Sequence, residues 1–169
     1  MKTSGRAELK RLNDWRYHGA VPLQQSAGLV QGLYVNELCV RLMPRFQADQ
    51  AFFGVYASTL LLLARPAQQA GALRFFERRL LDASGFGVDY RQTMDNGDWI
   101  QADGHYRFDP AHGFCLGTPV DGLSGAQILA IAQNDWHLPG ALALARHINT
   151  RRILHVLEGR TWHSHHWVS

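Results

Sequence analysis

The sequence has little of what a disulfide-stabilised, metal-centred or membrane-spanning protein requires. It contains two cysteines in 169 residues, Cys39 and Cys115, too few for a disulfide framework or a four-thiolate zinc site. Its longest apolar run, at 59–64, is much shorter than the ~20 residues that a transmembrane helix needs. The segment 1–12 is polar and basic, and no apolar signal-peptide region follows it. We therefore expect a cytoplasmic protein.

The motifs of common catalytic and nucleotide-binding sites are also absent. The sequence has no phosphate loop of the GxxxxGK(S/T) kind, no HExxH and no GxSxG. Asp95, Asp98 and Asp103 lie close together in a polar loop, where turn formation is the commoner explanation, and no acid follows at the spacing of a calcium loop. The histidines at 162–167 lack a nearby cysteine or carboxylate that would complete a metal site. We expect no catalysis, no cofactor and no metal.

What is present is a composition typical of one globular domain. Hydrophobic residues make up 46% of the chain and charged residues 18%, which excludes a disordered tail. The formal net charge of +3 permits an anionic partner but does not require one.

Apolar spacing predicts a mostly α-helical, compact bundle of about five helices. Pro44 and Pro66 end the first two helices, and the first is apolar on nearly all sides, which is typical of a buried central helix. The segment 88–120 is rich in Gly, Asp and aromatic residues, and predicts a small β-hairpin or irregular excursion at about 99–118. The predicted helices lie at 26–43, 48–64, 70–84, from 124 onward, and at 139–157.

The N-terminal segment 1–21 is the most basic part of the chain. Alternating residues at 6–12 predict one short strand, and a lone strand is not stable without a partner for its backbone groups. We therefore expect this strand either to pair with something absent from this chain or to be loose.

Four segments resemble, in order and spacing, those of the RecO recombination mediators, a family of bacterial DNA repair proteins. The family's patterns are GLYxNEL, LRRFE with a following GYG(L/V)(D/N)(F/Y), and a terminal LGG(K/R)xLxSR. The matching segments are GLYVNEL at 32–38, LRFFE at 73–77, GFGVDY at 85–90 and LEGR at 157–160 with Ser164.

The resemblance implies a domain organisation that this chain matches only in part. RecO proteins begin with an OB-fold barrel that binds nucleic acid, and here only 6–12 resembles its last strand. We expect 1–21 to be a basic remnant of the OB-fold end with a linker, 22–169 to be the C-terminal helical domain, and DNA binding to be weakened. Many members also have a four-cysteine zinc site, but Thr93 replaces the first ligand here and Cys115 is the only thiol in that region.

The resemblance also implies a peptide-binding site on the third predicted helix. RecO proteins bind the acidic C-terminal tail of single-stranded-DNA-binding protein, and Arg74 resembles part of that pocket. Arg74 and Arg78 lie away from the predicted core face, and Phe75 and Leu81 flank them. Two guanidinium groups beside apolar surface suit a peptide that ends in a carboxylate and an aromatic ring.

The alternative for this pair is an ordinary solvated helix face. On spacing alone that alternative is favoured, with Arg78 pairing with Asp82 at i,i+4. The resemblance reverses the preference for Arg74 and leaves it even for Arg78.

A basic region on the last predicted helix and at the N-terminus is a second candidate surface, for single-stranded DNA. The alternative is an ordinary polar surface, which we favour because no stacking aromatic residues are interleaved. The candidate nucleic-acid contacts are Lys10, Arg11, His147, Arg151, Arg152 and Arg160.

The resemblance thus implies a non-catalytic mediator component with the tail of single-stranded-DNA-binding protein, and also RecR, as partners. Intact family members anneal complementary strands and help load RecA. The alternative is an orphan helical interaction module that has lost mediator activity, and complementation of a mediator-deficient strain would separate the two.

Overall fold

The computed structural model describes residues 2–4, 11–14, 23, 26–45, 49–120, 122–158 and 164. In this part of the chain it confirms the predicted class, a mostly α-helical bundle of five α-helices with a small β excursion. None of the described helices is long and apolar enough to cross a membrane. The helices are α1 (Ser26–Leu42), α2 (Gln50–Leu63), α3 (Gln69–Ala83), α4 (Gly125–Gln133) and α5 (Ala141–Val156).

The helix ends follow from local chemistry. Asp49 precedes α2, and its side chain accepts a hydrogen bond from the Phe52 N–H at 2.8 Å, which satisfies one free donor of the first turn. A short 3-10 helix, Pro66–Gln68, connects α2 to α3. Asn134 ends α4 in the left-handed conformation with φ 58°. Each predicted helix is therefore present, with bounds shifted by a few residues.

The β excursion is a three-stranded antiparallel sheet of β3 (His105–Asp109), β4 (Gly113–Leu116) and β5 (Leu123–Ser124), in the order β4-β3-β5. Tyr106 and Phe108 of β3 point inward and are buried, whereas the residues between them face outward. The predicted hairpin at 99–118 is present, and a third strand extends it beyond the predicted range.

Two further strands, β1 (Lys2–Ser4) and β2 (Arg11–Asp14), form an antiparallel pair near the N-terminus. The described end of the predicted strand at 6–12 begins β2, and its partner β1 belongs to the same chain, which corrects the expectation of an absent partner or a loose strand. The pairing supplies the backbone hydrogen bonds that a lone strand would lack. The rest of the predicted strand, 6–10, lies outside the described residues.

The core has two clusters, which the packing of α3 against α5 brings together. The first lies between α1, α2, α3 and the end of α5, and the second between the β excursion, α4 and α5. Fully buried members of the first cluster are Val35, Leu38, Leu63, Phe76, Leu80 and Ile153, and those of the second are Phe114, Ile128, Ala141, Ala145 and Ile148.

The prediction that α1 is a buried central helix is wrong for one of its faces. The face with Val35 and Leu38 is fully buried, but Leu33 is 48% exposed and Val40 is 80% exposed. Among the described elements, α1 packs mainly against α2 and α3, and this packing leaves the face with Leu33 and Val40 exposed. A groove of about 690 Å³ between α1 and α2 is lined by Asn36, Cys39, Val40, Met43, Asp49, Gln50, Phe52, Phe53 and Tyr56.

We predict that Phe114→Ala destabilises the fold by about 3–5 kcal/mol, because the ring is fully buried and its removal leaves a cavity in the second cluster. Leu116→Ala, in the same strand but 56% exposed, is the control and should change stability by less than ~0.5 kcal/mol. Urea denaturation of the two variants measures both values. Equal losses would contradict the placement of the second cluster.

The pH dependence of Cys39 alkylation tests the α1–α2 packing. Burial raises the pKa of the Cys39 thiol to about 11, and only the thiolate reacts. In a Cys115→Ser background, the alkylation rate of Cys39 should therefore rise about tenfold per pH unit from pH 8 to near pH 10. A rate that levels off near pH 9 would show that the thiol is not desolvated by this packing.

Candidate functional site

Arg74 is buried inside the bundle, which corrects the prediction that it lies on an outer face of the third helix. The residue is 5% exposed. The physical reason is that α3 packs against α1, α2 and α5, so that little of its surface faces solvent. The Arg74 Nη2 atom forms an ion pair of 2.9 Å with Glu77 Oε1, one turn further along the helix.

The Glu77 carboxylate is the centre of a buried polar network that connects three helices. Glu77 is 1% exposed. Its Oε1 also accepts a hydrogen bond from the Tyr34 hydroxyl of α1 at 2.5 Å, and its Oε2 accepts one from Asn149 Nδ2 of α5 at 2.9 Å. Three donors converge on one carboxylate, an arrangement that compensates for the loss of water.

The network continues through Asn149 to Tyr90, a residue of the second core cluster. The Tyr90 hydroxyl donates to Asn149 Oδ1 at 3.2 Å, and Asn149 Nδ2 also donates to the Arg74 carbonyl oxygen at 3.1 Å. Burial raises the pKa of both Tyr34 and Tyr90 above the ordinary value of a phenol. Both hydroxyls therefore keep their protons and act as donors at physiological pH.

Arg74 also lines a basic pocket, and one of its nitrogens is not used by this network. In the part of the chain that the structure describes, the buried Arg74 Nε has no hydrogen-bond partner, and neither has the buried Gln31 Oε1. Both residues line a pocket of about 270 Å³ together with Arg146, an exposed residue of α5. No ion pair joins Arg146 to any described carboxylate.

An apolar pocket of about 620 Å³ adjoins the basic one. Phe75 lines it together with Trp136, from the segment that connects α4 to α5. Ala70 and Leu142 line both pockets, so the two form one continuous surface, which we name the α3–α5 groove. Its lining includes Gln31, Leu62, Ala70, Gly71, Leu73, Arg74, Phe75, Trp136, Leu142 and Arg146. The groove combines an aromatic-lined cavity with cationic nitrogens at one end.

Arg78 and Leu81 do not line this groove, which corrects their predicted grouping with Arg74. The Arg78 guanidinium donates to the Ile131 carbonyl oxygen and, at 2.8 Å, to Asn134 Oδ1, and its CZ atom lies 5.6 Å from the Tyr90 ring centroid. Desolvation lowers the pKa of Arg78, although the side chain stays charged. Leu81 is a core residue at 3% exposure. Arg78 therefore joins α3 to α4.

The alternative prediction for Arg78, an ion pair with Asp82, is not observed among the described residues. Asp82 pairs instead with Arg79, at 3.6 Å between Nη1 and Oδ2. Both partners are largely exposed, so this pair contributes little to stability.

The candidate nucleic-acid contacts on α5 make bonds within the protein. Arg151 Nη1 donates to the Phe108 carbonyl oxygen at 3.3 Å, and Arg152 donates to carbonyl oxygens of Phe86, Pro110 and Ala111. These two arginines hold the β excursion against α5. His147 lies exposed on the same helix. Arg11 begins β2, and Lys10 and Arg160 lie outside the described residues.

The β excursion does not have the donor set of a zinc site. Thr93 Oγ1 donates to Asn96 Oδ1 at 2.8 Å, and Cys115 Sγ lies 3.7 Å from the Arg107 carbonyl oxygen. No group of three or more His, Cys, Asp or Glu side chains in the described ranges is arranged to hold a metal ion. One thiolate with no second soft ligand does not fit structural zinc.

Sequence reasoning missed Gln31, Trp136 and Arg146 as groove residues. Their positions give little local signal, because each lies on a different element and only the tertiary packing brings them to Arg74. The one available signal was Arg146 itself, a cation between the apolar positions Ala145 and Ile148 of α5.

Comparison with known proteins gives consistent matches along the chain. The family model described as "Recombination protein O C terminal" matches residues 27–130, more than half of the chain. The DNA repair protein RecO of Stutzerimonas stutzeri is 36% identical over 162 residues, which cover 92% of this chain and 66% of that protein. The DNA repair protein RecO of Pseudomonas aeruginosa is 35% identical over 161 residues, and that of Hahella chejuensis is 32% identical over 168 residues.

The match to these relatives is partial on their side. It covers 66%, 67% and 70% of their lengths, so the chain spans about two thirds of the relatives that it matches. It covers 92% or more of this chain in all three cases. The resemblance inferred from the four sequence segments is confirmed, and the chain belongs to the RecO family of DNA repair proteins.

Proposed function

We propose that this chain is a non-catalytic mediator component of DNA repair whose α3–α5 groove docks the acidic C-terminal tail of single-stranded-DNA-binding protein. Docking would bring the protein to coated single strands, where it would assist strand annealing and, with RecR as a second partner, RecA loading. The role in DNA repair is supported by the relatives that this chain matches, which are DNA repair proteins RecO. The observation that supports this docking site is that a cationic pocket lies next to an aromatic-lined pocket.

The chemistry of the groove fits the end of an acidic peptide. Arg146 supplies an exposed positive charge, and Arg74 supplies one buried N–H that has no partner among the described residues. A carboxylate accepts such charge-assisted hydrogen bonds more strongly than a neutral group does. The Phe75 and Trp136 side chains give an adjoining cavity in which an aromatic ring of the peptide gains free energy by leaving water.

The two arginines contribute differently. Glu77 neutralises most of the Arg74 charge inside the protein, so Arg146 provides the net electrostatic attraction. Arg74 provides direction, since its buried side chain lines the pocket and is held by the packing around it. We therefore expect Arg146 to govern the salt dependence of binding and Arg74 to govern recognition of the carboxylate.

Titration with a fluorescently labelled acidic tail peptide that ends in an aromatic residue tests this proposal. We predict that Arg146→Ala weakens binding at least about tenfold, ~1.4 kcal/mol, because the ligand loses its exposed cation. Arg74→Ala should weaken it by a similar factor, and its folding must be verified by circular dichroism because Glu77 then lacks its cation.

The matched control is Arg79→Ala, which removes an arginine of the same helix that pairs with Asp82 away from the groove. Its affinity should stay within about twofold of the parent, as expected for an exposed charge away from the site. If folded Arg74→Ala and Arg146→Ala bind the peptide as tightly as Arg79→Ala does, the groove is not the docking site.

A further inference from the structure

We infer that Glu77 is a positioning residue of the α3–α5 groove: its buried carboxylate holds the Arg74 guanidinium so that Nε faces the ligand. The inference rests on the proposed function. It names the contact inside the protein that gives the groove its preference for a carboxylate. Glu77 itself does not line the groove and acts through Arg74.

The ion pair with Glu77 holds the Arg74 guanidinium at its Nη2 end. Arg74 Nη2 is held at 2.9 Å from Glu77 Oε1, and a guanidinium is planar, so holding Nη2 also restricts the direction of Nε. The Arg74 side chain is 6% exposed, which leaves little room for other rotamers. The Nε donor is the part of the group that remains without a described partner at the pocket.

Glu77 is itself held by two donors that do not contact the pocket. The Tyr34 hydroxyl and the Asn149 amide approach its two oxygens from α1 and α5. An amide in place of the carboxylate would present an NH₂ group, a donor, towards one of these donors. Glu77→Gln therefore disturbs the position of Arg74 while it keeps nearly the same side-chain volume.

The unpartnered Gln31 Oε1 at the same pocket adds the complementary group. The last residue of a peptide carries a carboxylate and an amide N–H on the same Cα. Arg74 Nε is a donor for the first, and Gln31 Oε1 is an acceptor for the second. A donor and an acceptor at one pocket favour a free peptide terminus over a side-chain carboxylate.

The test compares two peptides of identical sequence, one with a free C-terminal carboxylate and one with a C-terminal amide. Their dissociation constants are measured on the parent, Glu77→Gln, Arg74→Ala and the Arg74→Ala/Glu77→Gln double variant. We expect the parent to prefer the free carboxylate by about tenfold, as is typical of a hydrogen bond to a charged group. Glu77→Gln should reduce the preference for the free carboxylate to about threefold. Arg146 at the pocket rim supplies this remaining preference.

The double variant separates positioning from general structural support. If Glu77 acts through Arg74, the carboxylate preference of the double variant equals that of Arg74→Ala alone. Tyr34→Phe, which removes one donor and keeps the ring, is a milder variant expected to fold normally and to lower the ratio in the same direction. Glu158→Gln, an equal charge change at an exposed position, should leave the ratio unchanged.

The outcomes are distinguishable. If the parent binds neither peptide, the proposed function fails and the inference fails with it. If the parent prefers the free carboxylate and Glu77→Gln and Tyr34→Phe weaken both peptides equally, the proposed function stands and Glu77 has only a structural role, which overturns the inference. The inference is supported if both variants show a lower preference for the free carboxylate and if adding Glu77→Gln to Arg74→Ala lowers that preference no further.

Discussion

A charged carboxylate buried where three helices meet is costly, because water no longer stabilises it, and it persists only when several donors replace that water. Glu77 meets this requirement through Tyr34 of α1, Arg74 of its own helix and Asn149 of α5. Satisfying one carboxylate therefore fixes the mutual position of α1, α3 and α5. The same constraint holds Arg74 at the pocket and, through Asn149 and Tyr90, extends to the second core cluster. The core and the candidate site thus both depend on the buried Glu77 carboxylate.

The fold was largely predictable because its signals are local. Apolar spacing at a helical period gave five helices, and Pro44 and Pro66 gave two of their ends. Two features were not predictable in this way. The exposed apolar face of α1 depends on how many neighbours cover it, and the pairing of β2 with β1 depends on a segment with no alternating pattern of its own. Periodicity identifies which residues share a face, but tertiary packing decides how many faces are covered.

The candidate site was predictable only in part, and for a physical reason. Arg74 was identified from the family's sequence pattern, but its burial was not, because a helical wheel shows direction and does not show which neighbours surround the helix. Arg78 donates hydrogen bonds to a carbonyl oxygen and an amide oxygen at the end of α4, more than fifty residues away. No local sequence rule predicts such a contact. Trp136 and Arg146 reach the groove from other elements in the same manner. Long-range contacts therefore decide whether a cationic residue of a helix bonds to another part of the protein or lines a ligand-binding groove.

A crystal structure of the chain with an acidic peptide that ends in an aromatic residue is the most direct test of the central claim. The account predicts that the terminal carboxylate accepts hydrogen bonds from Arg74 Nε and Arg146, with the aromatic ring between Phe75 and Trp136 and the contact between Arg74 and Glu77 intact. A peptide seated in the groove between α1 and α2, or an Arg74 side chain that has left Glu77 to reach its ligand, would contradict it.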